Sequence, residues 1–380
     1  MMTTIFNHDI TLSTQEQSDA VHFYSGRALG LSNPGDIVQM HPRLQPELPA
    51  ISEHYRRIGL ACTDQIIWDT SVLTTSQYPN HETSFYFFGD VNNGVDSPSH
   101  KLFQSLDPRW CETVEYINSK NNFISLAETL GVPVPKTLCF ESTAAARACD
   151  DLPFPCYVKP SVSDHGVGIA RCADPQELTD ALNALEGLGA LQVQQEVNAS
   201  TFLNLQYRVI GNLADPLLAS EQILEGCVHG GNRYPTAHEP WDLVQPIAQH
   251  LVDRGIKGVF GIDVAVVERG DRVDYVAIEC NPRFNGSSYP TLIAHRLNIP
   301  SWISTTCPTR YRSLQESPLN ELEYNPVTGK GVILVNWGTV QAGKVSVLLA
   351  GFPEEQMQLQ KQLQNLLMSA KGTASELTAV

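Results

Sequence analysis

The sequence predicts an α/β protein of two to three domains. The chain has 380 residues, of which 42% are apolar and 17% charged, the composition of an ordinary globular protein. Short apolar runs that end in Gly, Pro or Asn predict strands, and they alternate with segments of helical apolar periodicity. A polar, turn-rich break at residues 92–99 predicts a domain boundary.

The elements follow in order from periodicity and punctuation. Ser119 is the expected N-cap of a helix that Gly131 and Pro133 end, and residues 268–272 predict a hairpin turn between two strands. The predicted helices are Pro49–Gly59, Lys120–Leu130, Pro175–Leu188 and Pro353–Ser369. The predicted strands are Ile66–Trp68, Ser84–Phe88, Pro155–Pro160, Leu191–Val197, Val259–Val267, Val273–Cys280, Gly331–Trp337 and Lys344–Ala350.

Charge and cysteine usage exclude several classes of function. The formal charge of -16 disfavours binding to nucleic acid or to anionic membranes, both of which need a basic face. No run of about 18 apolar residues is present, and the N-terminus lacks the pattern of a signal peptide. The nine cysteines form no C-x-x-C pair, so neither a zinc site nor a disulfide framework is indicated. We expect a reduced, cytoplasmic setting.

The predicted hairpin brings polar side chains together. Glu279 and Asn281 share one strand face, and pairing across the turn places Asp263 opposite residues near 277–279. Two carboxylates and an amide oxygen are hard ligands that suit Mg²⁺. Solvated strand residues are the alternative interpretation, and the apolar neighbours Ile262 and Val264 weigh against it.

Two basic residues lie beside polar loops. Lys159 ends an apolar strand just before residues 161–168, a glycine-containing loop that fits neither a Walker A nor a Rossmann pattern. An ordinary turn is the alternative for this loop. Arg283 lies just beyond Asn281, where it could clamp a carboxylate or phosphate, or pair with the same acids.

The order of these lysine, loop, carboxylate and arginine features along the chain resembles that of the ATP-grasp superfamily. The most specific signature is the Glu-x-Asn-Pro-Arg element at residues 279–283, which follows a Gly-Ile-Asp strand. The similarity covers roughly residues 110–300. It implies an ATP-grasp fold with an N-terminal pre-grasp α/β domain and a small C-terminal α+β appendage. The implied domains are 1–107 (pre-ATP-grasp), 108–195 (small subdomain with the phosphate lid), 196–325 (large subdomain with the metal site) and 326–380 (appendage).

The resemblance also implies roles for individual residues. Arg283 would steady the acyl phosphate, and with Lys159 it would be catalytic. Relatives often bind the ribose hydroxyls through a second glutamate, but Leu203 stands at that place here. The ribose contact must therefore come from another group, with Asn204 and a backbone group as the candidates. The implied ATP-binding residues are Lys120, Lys159, Ser161, Ser163, Gly166, Gly168, Glu196 and Val197, and the implied metal ligands are Asp263, Glu279 and Asn281.

Substrate contacts are expected in two places. Residues 225–234 are polar and flexible, which suggests a substrate-binding loop carrying His229 and Arg233; a surface loop without a role is the alternative. Gly286, Ser287 and Ser288 follow Arg283, and similar positions contact substrate carboxylate in D-alanine–D-alanine ligase. An ordinary turn is the alternative for this triplet.

The resemblance implies an ATP-dependent carboxylate–amine ligase that forms an acyl phosphate and releases ADP. ATP and Mg²⁺, which Mn²⁺ could replace, would be its cofactors. A carboxylate donor and an amine acceptor, an amino acid or small peptide, would be its partners. The oligomeric state is left open, with the homodimer of many relatives as a candidate. The base that would deprotonate the amine is not identified, and the candidates are Glu221, Glu225 and His229. A regulatory ATP-binding module and a carboxylase-type enzyme are the alternatives. Residues 33–36 and 331–334 also resemble the pheganomycin-type peptide ligases.

Overall fold

The computed structural model describes residues 3–14, 16, 18–163 and 168–368. The strands are β1 (Thr4–Asn7), β2 (Ile37–Gln39), β3 (Ile66–Ile67), β4 (Glu82–Phe85), β5 (Thr137–Phe140), β6 (Cys156–Pro160), β7 (Ala170–Cys172), β8 (Leu191–Gln195), β9 (Thr201–Ile210), β10 (Leu213–Glu225), β11 (Val228–Tyr234), β12 (Val259–Arg269), β13 (Arg272–Asn281), β14 (Trp302–Pro308), β15 (Gly331–Asn336) and β16 (Lys344–Ala350).

The α-helices are α1 (Leu48–Arg57), α2 (Pro98–Leu106), α3 (Pro108–Ile117), α4 (Lys120–Thr129), α5 (Thr143–Arg147), α6 (Pro175–Ala184), α7 (Trp241–Arg254), α8 (Ser288–Arg296) and α9 (Pro353–Met368). The 3-10 helices are Asp19–Leu31, Pro42–Glu47, Val72–Gln77, Pro318–Leu322 and Gly338–Ala342. No α-helix in the described part of the chain is both long and apolar enough to cross a membrane.

The chain divides into two compact units. One unit comprises residues 1–9, 17–85 and 289–380, and the other comprises residues 10–16 and 86–288. The sequence-based division into four domains stays a prediction.

The first unit contains a parallel sheet and an antiparallel one. The parallel strands lie in the order β3-β2-β1-β4, and β16 pairs with both β14 and β15. The predicted strands and helix of the C-terminal segment are confirmed as β15, β16 and α9. The β16 strand pairs with β14 as well, so this segment shares its sheet with the residues before it.

The second unit contains two antiparallel sheets. The smaller has the order β5-β8-β6-β7, and its core includes Val158, Val193 and Leu182. The larger runs β13-β12-β9-β10-β11. The predicted α4 and the predicted β12–β13 hairpin are both present. Periodicity did not predict β9, β10, β11 or α7.

Candidate functional site

An ion pair between buried Lys120 and partly buried Glu279 joins the start of α4 to the end of β13. The Ser119 hydroxyl caps α4 by accepting a hydrogen bond from the backbone N–H of Asn122, as its position before the apolar face predicts. Lys120 is therefore the first helical residue, and its backbone N–H donates to the Ser161 carbonyl at 2.7 Å. The Lys120 Nζ lies 3.1 Å from Glu279 Oε2. This contact brings a predicted phosphate ligand to a predicted metal ligand.

Lys159 extends from β6 in the same unit. Its ammonium group is buried and donates to Gln194 Oε1, on the adjacent strand β8, at 2.7 Å. Burial lowers the pKa of Lys159 to about 8, because a charged ammonium loses hydration inside the protein, and Lys120 adds to this effect. Nearby Glu279 opposes the shift. Lys159 is thus a desolvated cation beside the Lys120–Glu279 pair.

Asp263 and Glu279 face each other across the β12–β13 hairpin. They are register partners, and the register shifts immediately after Asp263. Burial raises the pKa of Asp263 to about 8, and the negative charge of Glu279 adds to the increase. Burial also acts to raise the pKa of Glu279, but the cations Lys120, Lys159 and Arg283 outweigh it and hold that pKa low. Glu279 therefore carries the charge, and the buried pair retains one proton at neutral pH.

Asn281 and Arg283 extend the cluster beyond the end of β13. The Asn281 side-chain amide donates to Asp263 Oδ2 at 3.1 Å, and Asn281 Oδ1 accepts from Arg283 Nη1 at 3.1 Å. Arg283 also donates from Nε to the Tyr86 hydroxyl at 3.3 Å. The three predicted metal ligands and the predicted catalytic arginine thus form one connected network.

Sequence reasoning missed a row of amides beside the acids. Asn204 and Gln206 lie two apart on β9 and are both buried; Asn204 Nδ2 donates to Asp263 Oδ1 at 2.5 Å. Gln206 Nε2 donates to Asn204 and also to Asn285 Oδ1, the latter at 3.0 Å. A Cβ at Gly261 would lie only 2.7 Å from Asn285 Nδ2, so a larger residue there would force the neighbouring amides to shift. The alternation of amides with Leu203, Leu205 and Tyr207 is the signal that predicts such a strand.

The predicted phosphate lid is only partly described. The Ser161 hydroxyl lies 2.8 Å from the Ser119 hydroxyl, which ties the start of this segment to the start of α4. The Ser163 hydroxyl is buried and has no hydrogen-bond partner among the described residues. Gly168 has a φ of +77°, which favours glycine, and a Cβ there would lie 2.9 Å from Pro160. Gly166 lies outside the described residues.

The predicted adenine contacts adjoin the smaller sheet. The Glu196 carboxylate accepts two hydrogen bonds from Arg171, at 2.7 and 2.8 Å, and a longer one from the Tyr157 hydroxyl. Val197 follows in the connection between β8 and β9 and is half-buried. Leu203 is buried on β9, and Asn204, the predicted ribose contact, is directed at Asp263 instead.

Residues 225–234 do not form the loop that the sequence analysis expected for substrate binding. Strands β10 and β11 make a hairpin there, and Gly226 supplies the positive φ of its turn. Exposed His229 packs onto Gly286, where a Cβ would lie 2.6 Å from His229 Cε1. Its Nε2 lies 2.7 Å from Asn232 Oδ1. Two segments predicted separately to bind substrate therefore meet.

The remaining predicted substrate and base residues differ in their surroundings. Exposed Arg233 lies opposite Glu221 across the hairpin, with Nη1 3.6 Å from Glu221 Oε2. Ser287 and Ser288 are both buried within the protein. The Ser287 hydroxyl lies 3.1 Å from that of Ser220, and the Ser288 hydroxyl donates to Gln206 Oε1 at 2.8 Å. Glu225 is exposed at the end of β10.

The site combines two buried lysines, an arginine, two carboxylates and a row of amides in one unit. Cations of this kind suit the negative oxygens of a polyphosphate, and the paired carboxylates suit a divalent cation. Such a set is typical of sites for phosphoryl transfer, which depends mainly on positioning and charge neutralisation.

Comparison with known proteins identifies the domain. Residues 117–287 match the family model described as an ATP-grasp domain. This segment, somewhat under half of the chain, is therefore similar to an ATP-grasp domain, and the fold expected from the sequence is confirmed. The match includes Lys120, Lys159 and the whole of the 279–283 element.

Individual relatives are distant. The formate-dependent phosphoribosylglycinamide formyltransferase of Methylococcus capsulatus is 28% identical over 189 residues, 45% of this chain and 46% of that protein. The chain thus matches about half the length of this curated relative. The ADP complex of an N5-carboxyaminoimidazole ribonucleotide synthetase has a TM-score of 0.62 at 14% identity, covering 95% of both chains. The L-amino acid ligase of Bacillus licheniformis has a TM-score of 0.56 at 13% identity, covering 96% of this chain and 97% of that one.

Proposed function

We propose that the protein is an ATP-dependent ligase that joins a carboxylate to an amine through an acyl phosphate, releasing ADP and phosphate. The observation that carries the proposal is the buried cluster in which Lys120 contacts Glu279 at 3.1 Å, next to Lys159 and Asp263. Burying several charges is costly unless they have partners. A triphosphate with its cation would supply partners for both the lysines and the carboxylates.

The donor set fits a hard divalent cation. Asp263 is buried and is the register partner of Glu279, and it keeps a proton because burial and the negative charge of Glu279 both raise its pKa. Asp263, Glu279 and Asn281 would hold Mg²⁺ through oxygen atoms, with Mn²⁺ as a substitute. When bound, Mg²⁺ would neutralise charge on the phosphate oxygens.

The chain's own residues would position and stabilise the reacting groups. Lys120 and Lys159 would bind phosphate oxygens and keep the γ-phosphate in line with the attacking carboxylate. Arg283, fixed by Asn281 and Tyr86, would stabilise the acyl phosphate and the tetrahedral intermediate that follows amine attack.

Other residues would bind the nucleotide and exclude water. Ser161, Ser163, Gly166 and Gly168 would cover the phosphates, because an acyl phosphate hydrolyses when water reaches it. Glu196 and Val197 would border the adenine. The Arg171 contact with Glu196 would hold that carboxylate in place.

The acceptor would bind where the β10–β11 hairpin meets the segment after Arg283. His229 and Arg233 would contact it directly, beside Gly286. Ser287 and Ser288 would act by fixing this segment, since their hydroxyls are engaged with Ser220 and Gln206. Of the base candidates, Glu221 is near the cation Arg233, and Glu225 and His229 are exposed.

The donor acid is the open part of the proposal. The names of the relatives suggest formate or amino acids as substrate classes, and the synthetase is named for a carboxylated aminoimidazole ribonucleotide as its product. We favour an amino acid or small peptide, with a one-carbon acid in a carboxylase-type reaction as the alternative. The homodimer, the cytoplasmic location and the pheganomycin-type branch stay predictions, as does the non-catalytic alternative.

The test is product analysis with a general acceptor. The protein is incubated with Mg-ATP, hydroxylamine and one acid at a time from amino acids, dipeptides, formate and bicarbonate. ADP together with a hydroxamate supports the proposal and identifies the donor. AMP and pyrophosphate would contradict the acyl phosphate.

A matched control separates this activity from contaminating ATPases. Glu279→Gln removes a charged member of the cluster, whereas Glu268→Gln changes an exposed glutamate on the neighbouring strand β12. We expect Glu279→Gln to abolish hydroxamate formation and Glu268→Gln to leave it unchanged. If both variants lost hydroxamate formation to the same extent, or both retained it, the role assigned to the cluster would be refuted.

A further inference from the structure

A second cluster of metal-ligating side chains lies away from the acid pair, on helices α2 and α3. It contains His100 of α2 and both Cys111 and Glu115 of α3. One nitrogen, one sulfur and one oxygen of these residues lie within 4.8 Å of one another. Sequence analysis did not predict this group, because its spacing matches no C-x-x-C or H-x-x-x-H pattern.

Local structure explains how the three side chains meet. Cys111 and Glu115 are four residues apart in α3, so they lie on the same helix face. The Cys111 Sγ lies 3.6 Å from Glu115 Oε1. The Ser97 hydroxyl caps α2 by accepting from the His100 backbone N–H, which places His100 in the first turn. The short connection at Asp107 then folds α3 back beside α2.

The burial of His100 and Cys111 distinguishes this group from a solvated surface cluster. Cys111 is fully buried and His100 is 7% exposed, whereas the Glu115 side chain is 38% exposed. The His100 Nε2 lies 2.8 Å from Glu115 Oε1, yet this buried nitrogen has no properly aligned hydrogen-bond partner among the described residues. The imidazole nitrogen and the Cys111 sulfur thus both approach the same oxygen of Glu115.

We propose that His100, Cys111 and Glu115 bind a transition-metal ion of the zinc class. Imidazole nitrogen, thiolate sulfur and carboxylate oxygen are the zinc ligands of proteins, with bonds of about 2.0–2.3 Å. A tetrahedral ion with such bonds needs neighbouring ligand atoms about 3.3–3.6 Å apart. The sulfur–oxygen distance of 3.6 Å meets this, and the nitrogen–oxygen distance of 2.8 Å must open slightly.

The chemistry favours zinc-class ions over Mg²⁺ at this place. A thiolate and an imidazole are softer ligands than Mg²⁺ accepts, so the two clusters would select different ions. Binding forms bonds from the metal to sulfur, nitrogen and oxygen, and the thiol proton passes to water. The bound ion would link α2 to α3.

Cobalt substitution tests this proposal independently of any ligase activity. The full chain is freed of metal with a chelator, exchanged into buffer and titrated with Co²⁺ in excess Mg²⁺. A sulfur-to-cobalt charge-transfer band that saturates at one equivalent is the expected result. Co²⁺ bound through oxygen atoms at Asp263 and Glu279 would give no such band, because no sulfur is a ligand there.

Variants identify the ligands. Cys111→Ser should abolish the band, and His100→Gln and Glu115→Gln should each weaken Co²⁺ binding about tenfold or more. Cys139→Ser, at an exposed cysteine on β5, is the control and should behave as the parent. Circular dichroism without metal checks that each variant is folded. No band in the parent, or an unchanged band in folded Cys111→Ser, would overturn the proposal.

Discussion

The pH dependence of Mg-ATP use tests the electrostatics of the cluster. Lys159 is buried with its pKa lowered to about 8, so above pH 8 it loses the charge that attracts phosphate. Asp263 is buried beside Glu279 with its pKa raised to about 8, so below pH 8 it stays protonated and is a poorer ligand for Mg²⁺. The two effects oppose each other, and we expect kcat/KM for Mg-ATP to be bell-shaped with a maximum near pH 8.

The magnitude follows from simple titration. Each group changes its charged fraction about tenfold per pH unit beyond its pKa, so kcat/KM should fall roughly tenfold per unit on each side. The assay is coupled ADP release at subsaturating Mg-ATP between pH 6 and 10. Because Mg²⁺ competes with the proton on Asp263, raising free Mg²⁺ tenfold should move the acid limb by up to about one pH unit.

Lys159→Arg is the matched variant for the basic limb. Arginine keeps its charge throughout this range, so the fall above pH 8 should disappear while the acid limb remains. A flat profile in the parent enzyme would refute the assigned pKa shifts. A basic limb that persists in an active Lys159→Arg enzyme would show that another group causes it.

Three further outcomes follow from the packing. Glu279→Gln should lower turnover by about a thousandfold or more, since it removes the partner of Lys120, while the circular dichroism spectrum stays unchanged; appreciable turnover would contradict the site. Gly261→Ala should lower the free energy of unfolding by about 1–3 kcal/mol in urea titration, because its Cβ would press on Asn285, Asn204 and Gln206; unchanged stability would show that the amides can move aside. Gly286→Ala should displace exposed His229 and raise KM for the acceptor with little change in stability, whereas an unchanged acceptor KM would argue against acceptor binding there.

The sequence was most informative where local rules apply. The Ser119 cap, the strand that carries Lys159 next to its end and the pairing of Asp263 with Glu279 all follow from capping, alternation and hairpin geometry. These are interactions within one element or across one turn. They were sufficient to predict most of the acid and base residues that the structure brings together.

The rest depends on contacts between residues far apart in the chain. The Lys120–Glu279 ion pair joins a helix start to a strand end 159 positions later, and periodicity does not specify such a distance. The contact of His229 with Gly286 likewise requires the packing of a hairpin against a separate segment. The His100–Cys111–Glu115 cluster depends on how two short helices fold together, which residue spacing alone did not indicate.

The most direct test of the central claim follows oxygen through the reaction. Once the donor acid is known, it is labelled with ¹⁸O in its carboxylate and converted to product with Mg-ATP and the acceptor. An acyl phosphate transfers one labelled oxygen to inorganic phosphate, and we predict this label in the phosphate released with ADP. Unlabelled phosphate, or label in AMP, would contradict the account.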